Sequence, residues 1–155
     1  LGVFEEDGIT IIDVVEPARQ LRISVAAGQR LPFSAGSFGR AFLAWMDEGE
    51  MDRLISLHGL RKYTKSSLTD PGRLKSNLAL VREQGYALDD SEEYLEGVWA
   101  VSAPIHGEDG IQAVITMVGF SSRLSQEARR VAIELTNQTA QNISAGMGIP
   151  AMEVG

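Results

Sequence analysis

The sequence predicts an α+β fold in which helices pack on an antiparallel sheet. Segments with strand character occur as neighbouring pairs, within residues 9–30 and 98–120, and do not alternate singly with helices. Three helical segments separate the pairs and a fourth follows them, so the expected order is β-β-α-α-α-β-β-α. No repeat, linker or low-complexity run divides the chain. We therefore expect one domain over residues 1–148 and a flexible tail over residues 149–155.

The first pair of strands is predicted from β-branched and alternating residues. Residues 9–16 (ITIIDVVE) are rich in β-branched side chains, which favour a buried strand, and Pro17 closes the segment. Residues 20–30 (QLRISVAAGQR) alternate apolar and polar side chains, which predicts a half-buried strand that pairs back on the first.

The first two helices are predicted from the spacing of their apolar residues. Phe38, Phe42 and Trp45 recur at helical spacing over residues 37–46, and a second helix follows over residues 47–57. The polar residues that come next, up to the third helix, are expected to form a loop.

The third and fourth helices carry end signals. Asp70 can cap the third helix, Pro71 takes its first position and Gly85 follows its end. Ser125 can cap the last helix, which is expected to run to about Gly146. The apolar residues predicted to share one face of that helix are Ala128, Val131 and Leu135.

The last two strands are expected to form a hairpin. Residues 98–105 and 111–120 are apolar, and the loop between them, residues 106–110, contains an Asp-Gly turn signal. An acidic connection, residues 89–96 (DDSEEYLE), precedes the hairpin.

Charge and composition exclude several classes of protein. The chain has 155 residues and a formal net charge of −7, and its densest basic stretch, residues 61–65, is short. Nucleic-acid binding by this chain itself is therefore not expected. The absence of cysteine excludes disulfides, thiolate zinc sites and cysteine nucleophiles. No apolar run approaches the roughly 20 residues that span a bilayer, and no signal peptide is visible, so a cytoplasmic protein without a membrane partner is expected.

Candidate catalytic and metal-binding residues are scarce. The two histidines, His58 and His106, lie far apart and lack metal-ligand spacing. Neither a GxSxG elbow nor a phosphate loop is present. We expect no catalytic residue, no metal, no cofactor and no enzyme activity. A Ser-His-Asp assembly brought together by folding stays open.

Residues 34–46 (SAGSFGRAFLAWM) contain two glycines at the start of a predicted helix. The amides at a helix start are unpaired and carry a partial positive charge, so those of Ser37, Phe38 and Gly39 are candidates for binding a carboxylate or phosphate. In the alternative interpretation, Ser34 or Ser37 caps the helix itself and Gly39 only permits close packing. The residues alone leave both interpretations open.

Several short segments nevertheless occur in a characteristic order. They are RLP (30–32) before AGSFGRAFLA (35–44), YT (63–64) before SLTD (67–70), REQGYALDD (82–90), and EGV (96–98) before API (103–105). They resemble the LP…AxGKAxLA, yT…TltD, iRxxGYAxDxEE and eGv…aAPi segments of one family. The chain is similar to the C-terminal effector-binding domain of the IclR family of bacterial transcription regulators.

The resemblance implies a GAF-like fold, in which a curved antiparallel sheet and its helices hold a small-molecule pocket. It implies a non-catalytic sensor whose effector is a small organic or aromatic acid, with the effector carboxylate at the helix start near Ser37. It also implies a homodimer or a dimer of dimers. DNA would be bound only through an N-terminal winged helix-turn-helix, which this chain does not contain.

Position by position, the resemblance assigns the pocket to the second strand, the helix start, the acidic connection and the last two strands. The implied ligand-binding residues are Ile23, Leu31, Gly36, Ser37, Phe38, Gly39, Asp89, Asp90, Val98, Ala100, Thr116 and Val118. Residues two apart in a strand share one face, which is consistent with the last four.

The chain departs from the family pattern at three points. The acidic connection is one residue longer, so either Asp89 or Asp90 could face the pocket. Ala100 stands where a cysteine is common, and Thr116-Met117-Val118-Gly119 replaces Ser-x-Ser-Gly. The loss of one hydroxyl predicts a ligand less polar than glyoxylate or pyruvate, such as an aromatic or longer aliphatic acid.

Two other functions remain as alternatives. One is a free-standing GAF-like enzyme. The other is a pure dimerisation module with a vestigial pocket, which would be favoured if Phe38 and Trp45 filled the space in front of Ser37.

Overall fold

The computed structural model describes residues 1–16 and 23–147. These residues form an α+β fold, as predicted, with a curled six-stranded antiparallel sheet and four α-helices. The strands are β1 (Gly2–Glu5), β2 (Gly8–Ile11), β3 (Arg30–Pro32), β4 (Ala87–Asp89), β5 (Val98–Gly107) and β6 (Gly110–Phe120). The helices are α1 (Gly36–Leu43), α2 (Glu48–His58), α3 (Pro71–Gln84) and α4 (Gln126–Gly146).

The strand order in the sheet is β3-β2-β1-β6-β5-β4. The β5–β6 hairpin is the longest pairing, and β4 adds to its outer edge in the register Asp89↔Ala100. The β1–β2 hairpin joins β6 through the pairing Gly2↔Val114. The N-terminal strands and the β5–β6 hairpin therefore belong to one sheet, although they are far apart in sequence.

Side-chain alternation along β5 directs helices to opposite faces of the sheet. Trp99 and Val101 point toward α4, where they pack with Ala132. Ser102 points the other way, and its hydroxyl bonds to the hydroxyl of Ser37 in α1. The start of α1 is thus fixed against the face opposite α4.

Helices α2 and α3 complete the core on the side of α1. The largest buried cluster joins apolar residues of these three helices to the strands around them. Its fully buried or nearly fully buried members include Ile9, Ile11, Leu43, Leu54, Leu78, Val81 and Val114.

The predicted helix ends are confirmed for α3 and α4. Asp70 accepts a hydrogen bond from the Arg73 amide, and Gly85 ends α3 in the left-handed conformation. Ser125 caps α4 by accepting from the Ala128 amide. Helix α1 was predicted over residues 37–46. It begins one residue earlier, at Gly36, and ends three residues earlier, at Leu43.

The apolar face predicted for α4 is not the face that packs on the sheet. Val131 and Leu135 are exposed, and the residues that face the sheet are Ala132, Thr136, Ala140 and Ser144. These side chains are small, so the helix lies close to β5. Ser144 also accepts a hydrogen bond from the amide of His106.

The first predicted pair of strands is shorter than expected. β2 ends at Ile11, because the next two amides donate to the carbonyl of Leu1 instead of to a neighbouring strand. The strand predicted over residues 20–30 is wrong where the chain is described, since residues 23–29 are irregular and β3 begins at Arg30. The predicted pairing back on the first strand does occur, through Ile9↔Leu31.

Two strands, β1 and β4, were not predicted at all. The two have four and three residues, which is too short for an alternating pattern to stand out. The predicted tail, residues 149–155, lies outside the described residues. Among the described residues, no helix is both long and apolar enough to cross a membrane.

Gly39→Ala should destabilise the fold by about 2 kcal/mol or more, because a Cβ here would lie 2.1 Å from the carbonyl oxygen of Phe33. Gly146→Ala is the matched control, since a Cβ at that helical glycine meets nothing within 4 Å. The control should be neutral or slightly stabilising. Urea unfolding of both variants measures the difference, and equal stability of the two would contradict the close approach.

Candidate functional site

The start of α1 has no side-chain cap. Its N-cap residue is Ala35, and the Gly39 amide closes the first turn by donating to the Ala35 carbonyl at 2.9 Å. Within the described residues, the amides of Ser37 and Phe38 have no acceptor. The self-capping interpretation is therefore wrong for both serines, because Ser34 makes no side-chain hydrogen bond and Ser37 bonds elsewhere.

Three hydroxyl groups connect the helix start to the sheet. Ser37 Oγ lies 2.9 Å from Ser102 Oγ, which lies 2.8 Å from Thr116 Oγ1. Ser37 is only 2% exposed and Ser102 is fully buried. This hydroxyl chain, Ser37–Ser102–Thr116, fixes the first turn of α1 over β5 and β6.

A row of side chains crosses three strands beside the hydroxyl chain. The register pairs Asp89 with Ala100 and Ala100 with Val118, and directly paired residues point to the same face. Ala100 is two residues from Ser102, so the row lies on the face that α1 covers. Val118 is 42% exposed, so this end of the face is open to a ligand. Val98 continues the same face and is buried.

Asp89, and not Asp90, is directed inward. Asp89 is 3% exposed and accepts hydrogen bonds from the amides of Glu93, at 2.8 Å, and Tyr94, at 3.3 Å. Burial raises its pKa, against the opposing effect of these hydrogen bonds and of the Arg40 charge. Asp90 is exposed.

Gly36 allows the acidic connection to approach the helix start. Its φ is +47°, and a Cβ at this position would lie 2.7 Å from Asp89 Oδ2 and 3.0 Å from Tyr94 Cβ. A side chain here would strain the backbone and displace the carboxylate. A Gly36→Val variant would consequently disturb folding as well as any ligand.

A buried ion pair that the sequence analysis missed lies behind the site. Arg40 is 3% exposed, pairs with the carboxylate of Glu93 and donates to the carbonyl of Leu88 at 2.5 Å. Burial raises the pKa of Glu93, the nearby Asp89 charge adds to this, and the Arg40 charge opposes it. The sequence contained one indication of this ion pair: Arg40 is the only charged residue in a helix whose other residues are small or apolar. Ser102 was also missed, although it shares a strand face with Ala100.

Two predicted pocket residues, Leu31 and Ile23, lie outside the hydroxyl chain and the row beside it, and Phe38 contributes its amide but not its ring to the helix start. The Phe38 ring packs toward β1, so that a Cβ on Gly2 would lie 2.7 Å from it. Leu31 is buried in β3, at the opposite edge of the sheet from β4. Ile23 is partly buried in the irregular segment before β3.

The structure also bears on the alternative functions. The Trp45 ring packs edge-on against His106, and the Phe38 ring contacts Gly2 of β1, so both rings have partners other than Ser37. Ser34, His58 and Asp7 line one cavity, but Ser34 Oγ has no hydrogen-bond partner and forms no Ser-His pair. No cluster of metal-ligating side chains occurs within residues 1–16 and 23–147.

The chain matches the family described as "Bacterial transcriptional regulator IclR C-terminal" over residues 1–145. It is 30% identical over 149 residues to the HTH-type transcriptional regulator KdgR of Escherichia coli K12, covering 96% of this chain and 56% of KdgR. It is 33% identical over 140 residues to the HTH-type transcriptional repressor AllR of Salmonella typhimurium, covering 90% of this chain and 51% of AllR. The chain thus spans about half the length of the curated relatives it matches.

The fold is also that of a solved regulator. The crystal structure of an IclR transcriptional regulator from Alicyclobacillus acidocaldarius matches with a TM-score of 0.84 and 31% identity, over 93% of this chain and 58% of that one. These relatives are named as transcriptional regulators, in agreement with the expected non-enzymatic role.

Compared with the Asp89→Asn variant, the wild type should be relatively more stable at low pH than at high pH. The difference between their unfolding free energies should therefore decrease as the pH rises. Because the pKa of Asp89 is raised above its ordinary value of 3.8, its contribution to stability is fully present below that value. The contribution is lost as the pH rises through the higher folded pKa. Urea unfolding of both proteins between about pH 4 and about pH 7 measures this trend. Asp90→Asn is the exposed control, and the same trend in that variant would contradict the assignment to Asp89.

Proposed function

This chain belongs to the IclR family of bacterial transcriptional regulators, as its C-terminal domain, and we propose that it senses a small organic acid at the start of α1. The observation that carries the proposal is the uncapped pair of amides at Ser37 and Phe38, beside the open end of the Asp89–Ala100–Val118 row. A carboxylate placed there gains two amide hydrogen bonds and the partial positive charge of the helix end.

The walls of this site favour an acid with an apolar body. Ala100 and Val118 supply methyl groups directly opposite each other across β5 and β6. Thr116 supplies one hydroxyl, which is already bonded to Ser102. Aromatic or longer aliphatic acids fit this surface better than glyoxylate, whose polar atoms would lack partners. Of the twelve pocket residues that the resemblance implies, we place Gly36, Ser37, the amide of Phe38, Asp89, Val98, Ala100, Thr116 and Val118 around the ligand.

The contact between Phe38 and Gly2 supports a relay toward a DNA-binding domain. The Phe38 amide faces the proposed ligand, while its ring touches β1 one residue after the first residue of this chain. Ligand binding would shift α1, and α1 would shift β1, to which an N-terminal DNA-binding domain would be joined. We propose that the full-length protein acts in the cytoplasm as a homodimer or a dimer of dimers, with residues 1–148 as its sensor domain.

Benzoate and hexanoate should raise the melting temperature of the protein and bind measurably in calorimetry, whereas benzyl alcohol should not. Val118→Asp should abolish binding of both acids, because it places a carboxylate at the mouth of the site. Met117→Asp is the matched control, since Met117 is also 42% exposed but points to the opposite sheet face.

Two results would contradict this proposal. One is the absence of binding by any small carboxylic acid, combined with hydrolysis of esters, which would support the enzyme alternative. The other is loss of binding that is equal in the Met117→Asp and Val118→Asp variants.

A further inference from the structure

The cavity lined by Ser34, His58 and Asp7 has a volume of about 280 Å³ and lies between β3, the C-terminal end of α2 and the segment that follows α2. Leu31 and Phe33, both buried, form an apolar part of its wall. None of the residues proposed above to surround the organic acid lines this cavity. Its chemistry therefore needs a separate explanation.

Two arginines, Arg30 and Arg61, line the cavity together with His58 and the Asp7 carboxylate, in a protein whose net charge is −7. Arg30 is held in place by Asp7, with 2.5 Å between Nη2 and Oδ1, and by the carbonyl of Glu5 at 3.1 Å. His58 Nε2 lies 3.2 Å from the same Asp7 carboxylate. Arg61 has no carboxylate partner within the described residues, so its charge is available to a ligand.

Two hydroxyl groups in the wall are buried without a hydrogen-bond partner in the described part of the chain. They are Ser34 Oγ and Tyr63 Oη. A buried polar group without a partner costs roughly 1–3 kcal/mol, so these groups favour a bound molecule that supplies one. The Tyr63 ring is fixed by an edge-on contact with Tyr94, 4.9 Å between centroids, so little ordering remains when a ligand binds.

We propose that this cavity is a second ligand site, for a small anion that carries several hydroxyl groups. Arg61 binds the anionic group, and the hydroxyls of Ser34 and Tyr63 bond to the ligand oxygens. The Asp7 carboxylate, oriented by Arg30, accepts from the ligand hydroxyls. Leu31 and Phe33 contact the carbon chain or ring.

Calorimetric titration with gluconate, glucose 6-phosphate and glucose tests this site. We expect one or both anions to bind and neutral glucose to bind far more weakly; the stronger anion identifies a carboxylate or a phosphate as the preferred group. Arg61→Gln should weaken binding about tenfold or more, which is the usual effect of losing a charge-assisted hydrogen bond. Tyr63→Phe keeps the ring contact with Tyr94 and should weaken binding by a smaller factor.

Lys62→Gln removes a charge from the adjacent exposed residue that does not line the cavity, and it should leave binding unchanged. Val118→Asp should also leave it unchanged, which separates this site from the organic-acid site. The proposal is overturned if neither anion binds at millimolar concentration. It is equally overturned if Arg61→Gln and Lys62→Gln weaken binding to the same extent, or if Val118→Asp abolishes it.

Discussion

The buried guanidinium of Arg40 is the constraint on which the candidate site depends. It joins α1 to β4 through the Leu88 carbonyl and to the acidic connection through Glu93. Removing one partner of a buried ion pair costs about 3–5 kcal/mol, because the other charge is left without compensation. Asp89 holds the same connection by accepting from two of its amides. These polar contacts therefore position the start of α1, and its first amides are left without a side-chain cap.

The sequence predicted the parts of the fold that depend on local chemistry. Asp70 and Ser125 cap their helices as their positions indicate, and the Asp-Gly turn joins the long hairpin. It could not predict what depends on long-range contacts. The residues before β3 alternate like a strand, but only Gly28 and Gln29 hydrogen-bond to β2, and residues 23–27 belong to no strand. The apolar face of α4 is exposed because small residues pack against β5.

The same division applies to the site. The two glycines at the start of α1 can be read from the sequence, but the free amides cannot, because Ser34 and Ser37 were both possible caps and only the folded contacts show that neither caps the helix. The inward direction of Asp89 depends on the pairing of β4 with β5, and the role of Arg40 depends on Glu93, which is 53 residues away in the chain.

The hydroxyl chain has a consequence for how an anion is recognised. Three hydroxyl groups in a line have three protons but only two internal hydrogen bonds, so one proton is left over, on Ser37, on Thr116, or on Ser102 when both neighbours donate to it. If the bonds run from Thr116 to Ser102 to Ser37, the spare proton is on Ser37, next to the free amides. If they run in reverse, the spare proton is on Thr116. If the proposed acid binds at the helix start, its negative charge favours the first orientation, and the hydroxyl dipoles of α1, β5 and β6 would turn together without movement of a heavy atom.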